Sequence, residues 1–309
     1  MGWRHGLVLG GGWLWAACAG AAMVEEVLQL PVRVQTAAGQ AVQGRIHVTL
    51  FRDDAWPATR RVPLALLAHG RAPSAQARAD MGRVRYAGAA RYLLQRGYMV
   101  AVPTRLGYGV TGGDDLEAAG RCDAARYTPV FDVAAQQLQA TLDALRQRPE
   151  VRPDGMLVLG QSFGGASAVA LAAKQPPGLA AVVNFSGGSG GDSQKRPGAP
   201  CAPQALQATF AHYGSTARVP MLWLYAENDQ FWGPEWPCQW HQAFVAAGGQ
   251  ARLQVLGALG EDGHQLFSKF GRLWHPLVSQ FLNAQRPPRA GNAQSLRQVG
   301  ERASAKGGA

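Results

Sequence analysis

Continuous apolar runs alternate with amphipathic stretches along most of this 309-residue chain. Six runs are apolar at consecutive positions, which is typical of parallel strands that are buried on both faces. The runs cover 62–70, 98–104, 155–160, 180–186, 220–226 and 251–257. Helical periodicity separates them, as where Val130, Ala134 and Leu138 recur at spacings of four. The alternation predicts an α/β fold with right-handed βαβ units and a doubly wound, mostly parallel sheet.

Two Val- and Thr-rich segments, 30–36 and 44–52, precede these runs, and glycines punctuate the stretch between them. They predict an antiparallel N-terminal strand pair. Helices are expected at 84–95, 128–147, 162–175, 205–212, 234–247 and 264–284. Thr128 is the expected cap of the second of these helices. The sequence shows no internal repeat and no second apolar core, so we expect one α/β domain at 23–285.

Residues 1–22 have the pattern of a cleaved signal peptide. A basic start with Arg4 is followed by a short apolar run and by small residues that end at Ala22. A membrane anchor is the alternative, but the run is too short and too rich in glycine for a span of about 20 residues. A lipoprotein attached through Cys18 is a further alternative, although Trp15 stands where an aliphatic residue is usual. The pattern predicts export to the periplasm or outside the cell, without stable membrane insertion after cleavage.

The formal charge of +10 raises the question of a nucleic-acid partner. Residues 286–309 hold five basic residues and one acid, and Arg4 belongs to the leader, so the rest of the chain carries about +5 with scattered charges. No stripe of Lys and Arg interleaved with aromatic residues is present, so we expect no nucleic-acid partner. The tail at 286–309 is expected to be disordered, and attraction of this tail to anionic envelope surfaces is an alternative use of its charge.

Cys18 lies in the leader, which leaves Cys122, Cys201 and Cys238. The sequence has no C-x-x-C spacing, no cluster of metal-ligating residues and no Gly-rich phosphate loop, so we expect neither metal nor cofactor. One disulfide and one buried thiol are expected in an exported chain of this kind. Cys122 and Cys201 both lie in loops that follow strands, so a bridge between them across the site entrance is one arrangement, with Cys238 as the thiol.

A serine between glycines stands where the apolar run at 155–160 meets the helix expected at 162–175. The pattern G-x-S-x-G at such a junction indicates a tight strand-to-helix elbow that exposes the hydroxyl of Ser162 above the sheet. Gly160 and Gly164 are needed because side chains there would collide with neighbouring backbone. The alternative is a Gly/Ser turn at a helix cap.

A serine hydroxyl needs a base and an orienting carboxylate to act as a nucleophile. His264 follows the last strand, next to a glycine, and is the expected base. Asp229 comes just after the strand at 220–226 and is the expected carboxylate. Glu227 is its main competitor, and Asp192 is less favoured because its loop is long and flexible.

An oxyanion that forms at Ser162 needs hydrogen-bond donors. The Phe163 N–H at the start of the helix is one expected donor. The loop after the first parallel strand is expected to supply the second, from the Arg71 N–H. His69 in this loop is interpreted as a turn residue that is hydrogen-bonded to nearby backbone.

These segments resemble the α/β-hydrolase superfamily, and within it exported bacterial hydrolases of the dienelactone-hydrolase-like type. The resemblance lies in "LLAHGRA", "VAVPTRLGYGVTGG", "GQSFGG", "LWLYAENDQFWGP" and "DGHQLF", which span about 64–267. It implies Ser162, Asp229 and His264 as a triad, with Phe163 and Arg71 as oxyanion donors. True dienelactone hydrolases use a Cys nucleophile where this chain has serine, so their substrate is not inferred.

The sequence therefore predicts a serine hydrolase that cleaves carboxylic esters or related acyl bonds of a small-molecule substrate through an acyl-enzyme. A peptidase of the same fold that acts on short peptides is one alternative. A non-catalytic binding protein on a hydrolase scaffold is another. The oligomeric state is left open.

Overall fold

The computed structural model describes residues 22–285 and contains one eight-stranded sheet in this range. The signal peptide predicted at 1–22, with Cys18, and the tail predicted at 286–309 lie outside the described residues, apart from Ala22 itself. The strand order is β1-β2-β4-β3-β5-β6-β7-β8. The strands are β1 (Met23–Gln35), β2 (Ala41–Asp53), β3 (Val62–Ala68), β4 (Met99–Thr104), β5 (Val151–Gln161), β6 (Leu179–Phe185), β7 (Met221–Ala226) and β8 (Ala251–Leu256).

Helices cover both faces of the sheet. They are α1 (Ala75–Ala79), α2 (Ala87–Leu94), α3 (Tyr127–Leu145), α4 (Phe163–Ala173), α5 (Pro203–Gly214), α6 (Glu235–Ala246), α7 (Leu266–Lys269) and α8 (Gly271–Ala284), with short 3-10 turns at Gly109–Thr111, Cys122–Ala124 and Gly263–Gln265. Within residues 22–285, none of the helices has the length and apolar character needed to cross a bilayer.

The buried strands separate two hydrophobic clusters. Along β3, Leu64 and Leu66 pack in the cluster on the side of α3 to α6, while Ala65 and Leu67 pack in the cluster on the side of α2 and α8. Because successive side chains of a strand point to opposite faces, a run that is apolar at every position is needed to fill both clusters. The predicted doubly wound α/β fold is confirmed, and β1 pairs antiparallel with β2 as expected.

The structure corrects several element details. Strand β5 begins at Val151 rather than at 155, because Val151 pairs with Val62 ahead of a register shift. Thr128 does not cap α3, which begins one residue earlier, and its hydroxyl instead lies 3.0 Å from the Thr209 hydroxyl. The helix predicted at 264–284 is divided, since Phe270 leaves helical geometry with φ of −112° and ψ of 39°.

Parallel strands bring their carboxyl ends to one edge of the sheet, where ligands of open α/β folds usually bind. Strands β3, β5, β6, β7 and β8 run parallel to one another in this sheet. The segments that follow β3, β5, β7 and β8 hold all five residues predicted for the site. We call this edge the carboxyl edge.

Candidate active site

Ser162 sits on a sharp turn between β5 and α4. Its φ is 55° and its ψ is −125°, a left-handed region that non-glycine residues rarely adopt. A Cβ atom at Gly160 would overlap the backbone carbonyl of Gly164, and one at Gly164 would overlap the carbonyl of Ala68. The two glycines therefore allow the close packing that this turn requires, as the motif predicted.

The Ser162 side chain is partly exposed, and among the hydrogen bonds of residues 22–285 none involves its hydroxyl group. The peptide N–H of Phe163 opens helix α4, so it belongs to the first turn, where N–H groups have no partner within the helix. The hydroxyl and this N–H are thus both available to a ligand at the carboxyl edge.

His264 and Asp229 form a buried pair. His264 Nδ1 lies 3.1 Å from Asp229 Oδ1 and 3.0 Å from Asp229 Oδ2. Since a carboxylate only accepts, Nδ1 carries the proton and Nε2 is left as an acceptor. Asp229 Oδ1 also accepts hydrogen bonds from the N–H groups of Phe231, at 2.9 Å, and Trp232, at 3.2 Å, which fix the carboxylate in its loop.

Side chains of the two loops hold this pair together. Asp262 Oδ1 accepts from the N–H of His264 at 2.9 Å and from the N–H of Gln230 at 3.1 Å. Asn228 Oδ1 accepts from the N–H of Leu259 at 2.8 Å. Hydrogen bonds therefore join the loop after β7 to the loop after β8 through Asn228 and Gln230, the residues before and after Asp229.

The loop after β3 passes against the elbow. A Cβ placed at Gly70 would lie 3.3 Å from Ser162 Cβ and 3.8 Å from its hydroxyl oxygen. His69 Nε2 accepts from the N–H of Arg105 at 3.1 Å, so the proton is on Nδ1, which donates to the Gly70 carbonyl at 2.7 Å. Because C=O and N–H of a trans peptide point in opposite directions, this bond also sets the direction of the Arg71 N–H. The interpretation of His69 as a backbone-bonded turn residue is confirmed.

A buried ion pair supports the same loop from below. Arg105 and Glu117 are fully buried, and Arg105 Nε donates to Glu117 Oε1 at 2.6 Å. Arg105 Nη1 donates to the His69 carbonyl at 2.8 Å, and the Tyr108 hydroxyl donates to Glu117 at 2.6 Å. Burial and the nearby Arg105 charge together hold the pKa of the His69 imidazole well below its usual value. The imidazole is therefore neutral near pH 7, as its two hydrogen bonds require.

The side chain of Arg71 is directed to a carboxylate rather than to the serine. It donates to Asp115 through two nitrogens, at 2.7 Å and 2.5 Å. Burial disfavours the charged form of both groups, but the paired hydrogen bonds between them favour it more strongly. The pKa of Arg71 is therefore raised and that of Asp115 is lowered. Only the backbone of Arg71 is left for the predicted oxyanion role.

A cavity of about 600 Å³ opens at the elbow. Its lining includes Arg71, Ser162, Phe163, Phe231 and Trp232, together with the segments 117–120 and 188–195. A disulfide joins Cys122 to Cys201, at the far ends of these two segments. The bridge considered from the sequence is thus present, whereas Cys238 is half-buried rather than buried.

Three of the five predicted residues, Arg71, Ser162 and Phe163, line this cavity. The other two, Asp229 and His264, do not line it but contact Phe231, which does. The His264 ring packs against Phe231 with ring centres 4.1 Å apart, and the Gln161 side-chain amide donates to the His264 carbonyl at 3.5 Å. No hydrogen bond joins His264 to the Ser162 hydroxyl within the described range. Among the alternatives for the carboxylate, Glu227 is exposed and Asp192 binds backbone N–H groups of its own loop.

Residues 84–258 match the model of the dienelactone hydrolase family, which is more than half of the chain. The chain belongs to the dienelactone hydrolase family. The predicted resemblance is therefore confirmed, and the chain is a hydrolase. The matched segment contains Ser162 and Asp229, begins after Arg71 and ends before His264.

Solved structures share the fold of this dienelactone hydrolase family member at low identity. An esterase from Pyrococcus furiosus aligns with a TM-score of 0.54 at 15% identity, over 83% of this chain and 90% of that chain. An acetyl xylan esterase from Paenibacillus sp. R4 aligns with 0.54 at 15%, over 85% and 89%. An acylaminoacyl peptidase aligns with 0.53 at 12%, over 83% and 41%. No curated protein sequence matches this chain.

Several residues that hold this family member's candidate site were not predicted from the sequence. They are Gln161, Asp262, Asn228, Arg105 and Glu117. Asp262 carried a usable signal, because an Asp before a short helical turn is a common cap. Arg105 and Glu117 carried none, since a buried ion pair within one long irregular loop becomes visible only when the path of that loop is known.

Proposed function

We propose that this protein is a serine esterase that cleaves carboxylic esters of a small-molecule substrate by acyl transfer. The proposal is carried by an unbonded serine hydroxyl on a strained elbow in a cavity whose lining residue Phe231 also contacts a buried His–Asp pair. Strained backbone of this kind persists only where the surrounding structure enforces it, and it is concentrated at functional sites.

In the proposed mechanism, His264 Nε2 takes the proton of Ser162 as the serine oxygen attacks the ester carbonyl carbon. The N–H groups of Phe163 and Arg71 bind the oxyanion. His264 then gives the proton to the leaving alcohol, so the carbon–oxygen bond breaks and an acyl-serine remains. A water molecule, deprotonated by His264, then attacks the acyl carbon. The bond between that carbon and the Ser162 oxygen breaks, the acid leaves, and His264 returns the proton to the serine oxygen. Asp229 keeps the proton of His264 on Nδ1 throughout.

Esters are favoured over amides by the fold neighbours that span most of this chain. The Pyrococcus furiosus and Paenibacillus proteins are named as esterases and align over most of both chains. The acylaminoacyl peptidase is more than twice as long as the aligned part, and no described residue of this chain forms a further domain beside the sheet.

Labelling with a fluorophosphonate probe tests the proposal. We expect one adduct, mapped by mass spectrometry to Ser162, and loss of p-nitrophenyl acetate hydrolysis in Ser162→Ala. Absence of labelling, or labelling at another residue, would contradict the serine mechanism. Faster cleavage of aminoacyl-anilides than of p-nitrophenyl esters would favour the peptidase. Ester hydrolysis that persists in Ser162→Ala would remove the serine from the mechanism altogether.

We also propose that the protein acts after export. The leader pattern at 1–22 and the Cys122–Cys201 disulfide support this, because disulfides persist mainly in oxidising compartments. N-terminal sequencing of the protein from a periplasmic or secreted fraction should begin at Met23. A mature chain that begins at Cys18 would instead identify a lipoprotein, and an uncut chain in the cytosol would refute export.

A further inference from the structure

A second cavity lies at the opposite edge of the sheet. It has a volume of about 560 Å³ and is lined by residues where parallel strands begin, among them Val62 and Pro63 of β3 and Ala180 of β6. Gly97, which precedes β4, also lines it. The cavity is therefore separated from Ser162 by the length of the strands and takes no part in the proposed ester hydrolysis.

The side chains at its rim are strongly basic. Arg60, Arg61, Arg96 and Arg152 line the cavity, and among residues 22–285 no Asp or Glu does. Arg152 pairs with Asp154 at 2.6 Å. The other three form no ion pair with any carboxylate of the described range. Three guanidinium charges thus face one cavity without a neutralising partner.

Neutral contacts hold these guanidinium groups in place. Arg96 lies over the Tyr92 ring, 3.6 Å from its centre, and donates to the Tyr92 carbonyl at 3.1 Å. Arg60 lies 4.9 Å from the centre of the Trp56 ring. Arg61 donates to the Val151 carbonyl at 3.2 Å. Each group has five N–H donors and uses few of them, so ordered donors are available to an anion.

The base of the cavity is apolar. Met156, Leu157, Ala181 and Leu282 line it. Guanidinium groups bind phosphate oxygens through paired, charge-assisted hydrogen bonds, and several cations in one cavity favour the double charge of a phosphate monoester over a single carboxylate. The apolar base would contact the organic part of the same ligand.

We propose that this cavity binds a phosphate monoester that carries an apolar group. The chain's own C-terminal segment does not meet this description. It follows directly after Gln285, which lines the cavity, and residues 286–309 hold five basic residues and one acid. Because its net charge is positive, this segment cannot serve as the anionic ligand of the cavity.

Calorimetric titration of the full-length chain with phenyl phosphate tests the proposal. The double variant Arg60→Gln/Arg61→Gln removes two exposed, unpaired cations of the rim, and we expect at least about tenfold weaker binding, from the loss of charge-assisted contacts. Arg33→Gln/Arg252→Gln removes the same charge from exposed positions on β1 and β8 and should bind like the wild type. Ser162→Ala should also bind like the wild type, which separates this cavity from the proposed catalytic one.

Equal weakening in both double variants would reveal general attraction to a basic surface and overturn the proposal, as would the absence of binding to the wild type. Vesicles of phosphatidylcholine with phosphatidic acid form the second arm. Phosphatidic acid exposes the same phosphate monoester, so binding to these vesicles that is lost in Arg60→Gln/Arg61→Gln would identify a lipid headgroup as the source. Binding of phenyl phosphate alone, lost in the same variant, would identify a soluble organic phosphate.

Discussion

The position of one proton decides what His264 is able to do. Asp229 accepts hydrogen bonds from the N–H groups of Phe231 and Trp232, and these bonds fix the orientation of its carboxylate relative to the imidazole of His264. The contact between this carboxylate and the imidazole keeps a proton on Nδ1, so in the neutral imidazole Nε2 is the acceptor. A neutral amide at position 229 could present its NH₂ group to the ring and favour the opposite tautomer.

If the proposed triad operates, we expect Asp229→Asn to lower kcat for p-nitrophenyl acetate by about 10⁴-fold, the size of effect known for this substitution in a Ser-His-Asp triad. Glu227→Gln is the matched control, because it removes an exposed carboxylate two residues away. It should retain the wild-type kcat. A large loss in Glu227→Gln with an active Asp229→Asn would exchange the two roles.

Individual site residues could be predicted from the sequence where the adjacent residues form a recognisable pattern. Gly160 and Gly164 mark Ser162, and a carboxylate and a histidine each follow a strand. The role of Glu117 could not be predicted from the sequence, since its partner Arg105 lies in a different turn of an irregular loop. A fully buried charge is stable only beside such a partner, but the sequence does not say which one.

Two loops line the cavity at the elbow, and the disulfide joins them. The segment 117–120 leads to Cys122, and the segment 188–195 leads to Cys201. The Cys201 N–H donates to the Gly190 carbonyl at 2.9 Å, so the bridge also restrains the base of the second loop. We therefore expect this covalent link to help set the width of the cavity.

Cys122→Ser/Cys201→Ser should therefore raise KM severalfold while kcat changes less, because the proposed catalytic pair, His264 and Asp229, lies on other loops. The free energy of unfolding should fall by about 2–4 kcal/mol, the usual range for a disulfide. Chemical denaturation and steady-state kinetics measure both quantities. Cys238→Ser, which changes the free thiol, should leave both unchanged. An unaltered KM in the double variant would show that the walls hold their spacing without the bridge.

Strands and helices could be predicted where a local sequence pattern determines them. Their ends were missed where tertiary contacts determine where an element begins or breaks. The apolar runs located every parallel strand. The start of β5 at Val151 was missed because the segment "VRPDG" looks like a turn, and it extends only because Val62 lies beside it. The break at Phe270 likewise interrupts a sequence whose periodicity favours one continuous helix.

The whole molecule places two different chemistries at the two ends of one sheet. The carboxyl edge holds a serine, a buried His–Asp pair and a buried ion pair, while the opposite edge holds a rim of arginines. Because the strands separate the two edges and the two cavities share no lining residue, a ligand at one edge does not contact the charges that line the other. Stability, by contrast, is shared by both edges, since the molecule in this range is built on a single sheet.

The buried His69 makes this shared stability depend on pH. Its pKa is lowered by burial and by Arg105, so the folded chain keeps it neutral while the unfolded chain protonates it below about pH 6.5. Unfolded chains then bind more protons than folded ones, so the free energy of unfolding falls as pH falls. This group alone should remove about 2 kcal/mol between pH 7 and pH 5.

His69→Gln removes the titrating group while keeping a donor for Gly70 and an acceptor for the Arg105 N–H. The fall in unfolding free energy between pH 7 and pH 5, measured by urea denaturation, should be about 2 kcal/mol smaller in this variant than in the wild type. His212→Gln removes an exposed imidazole of α5 and should keep the wild-type fall. Equal falls in all three proteins would mean that the acid sensitivity arises elsewhere, and that the neutral His69 in the loop after β3 does not govern it.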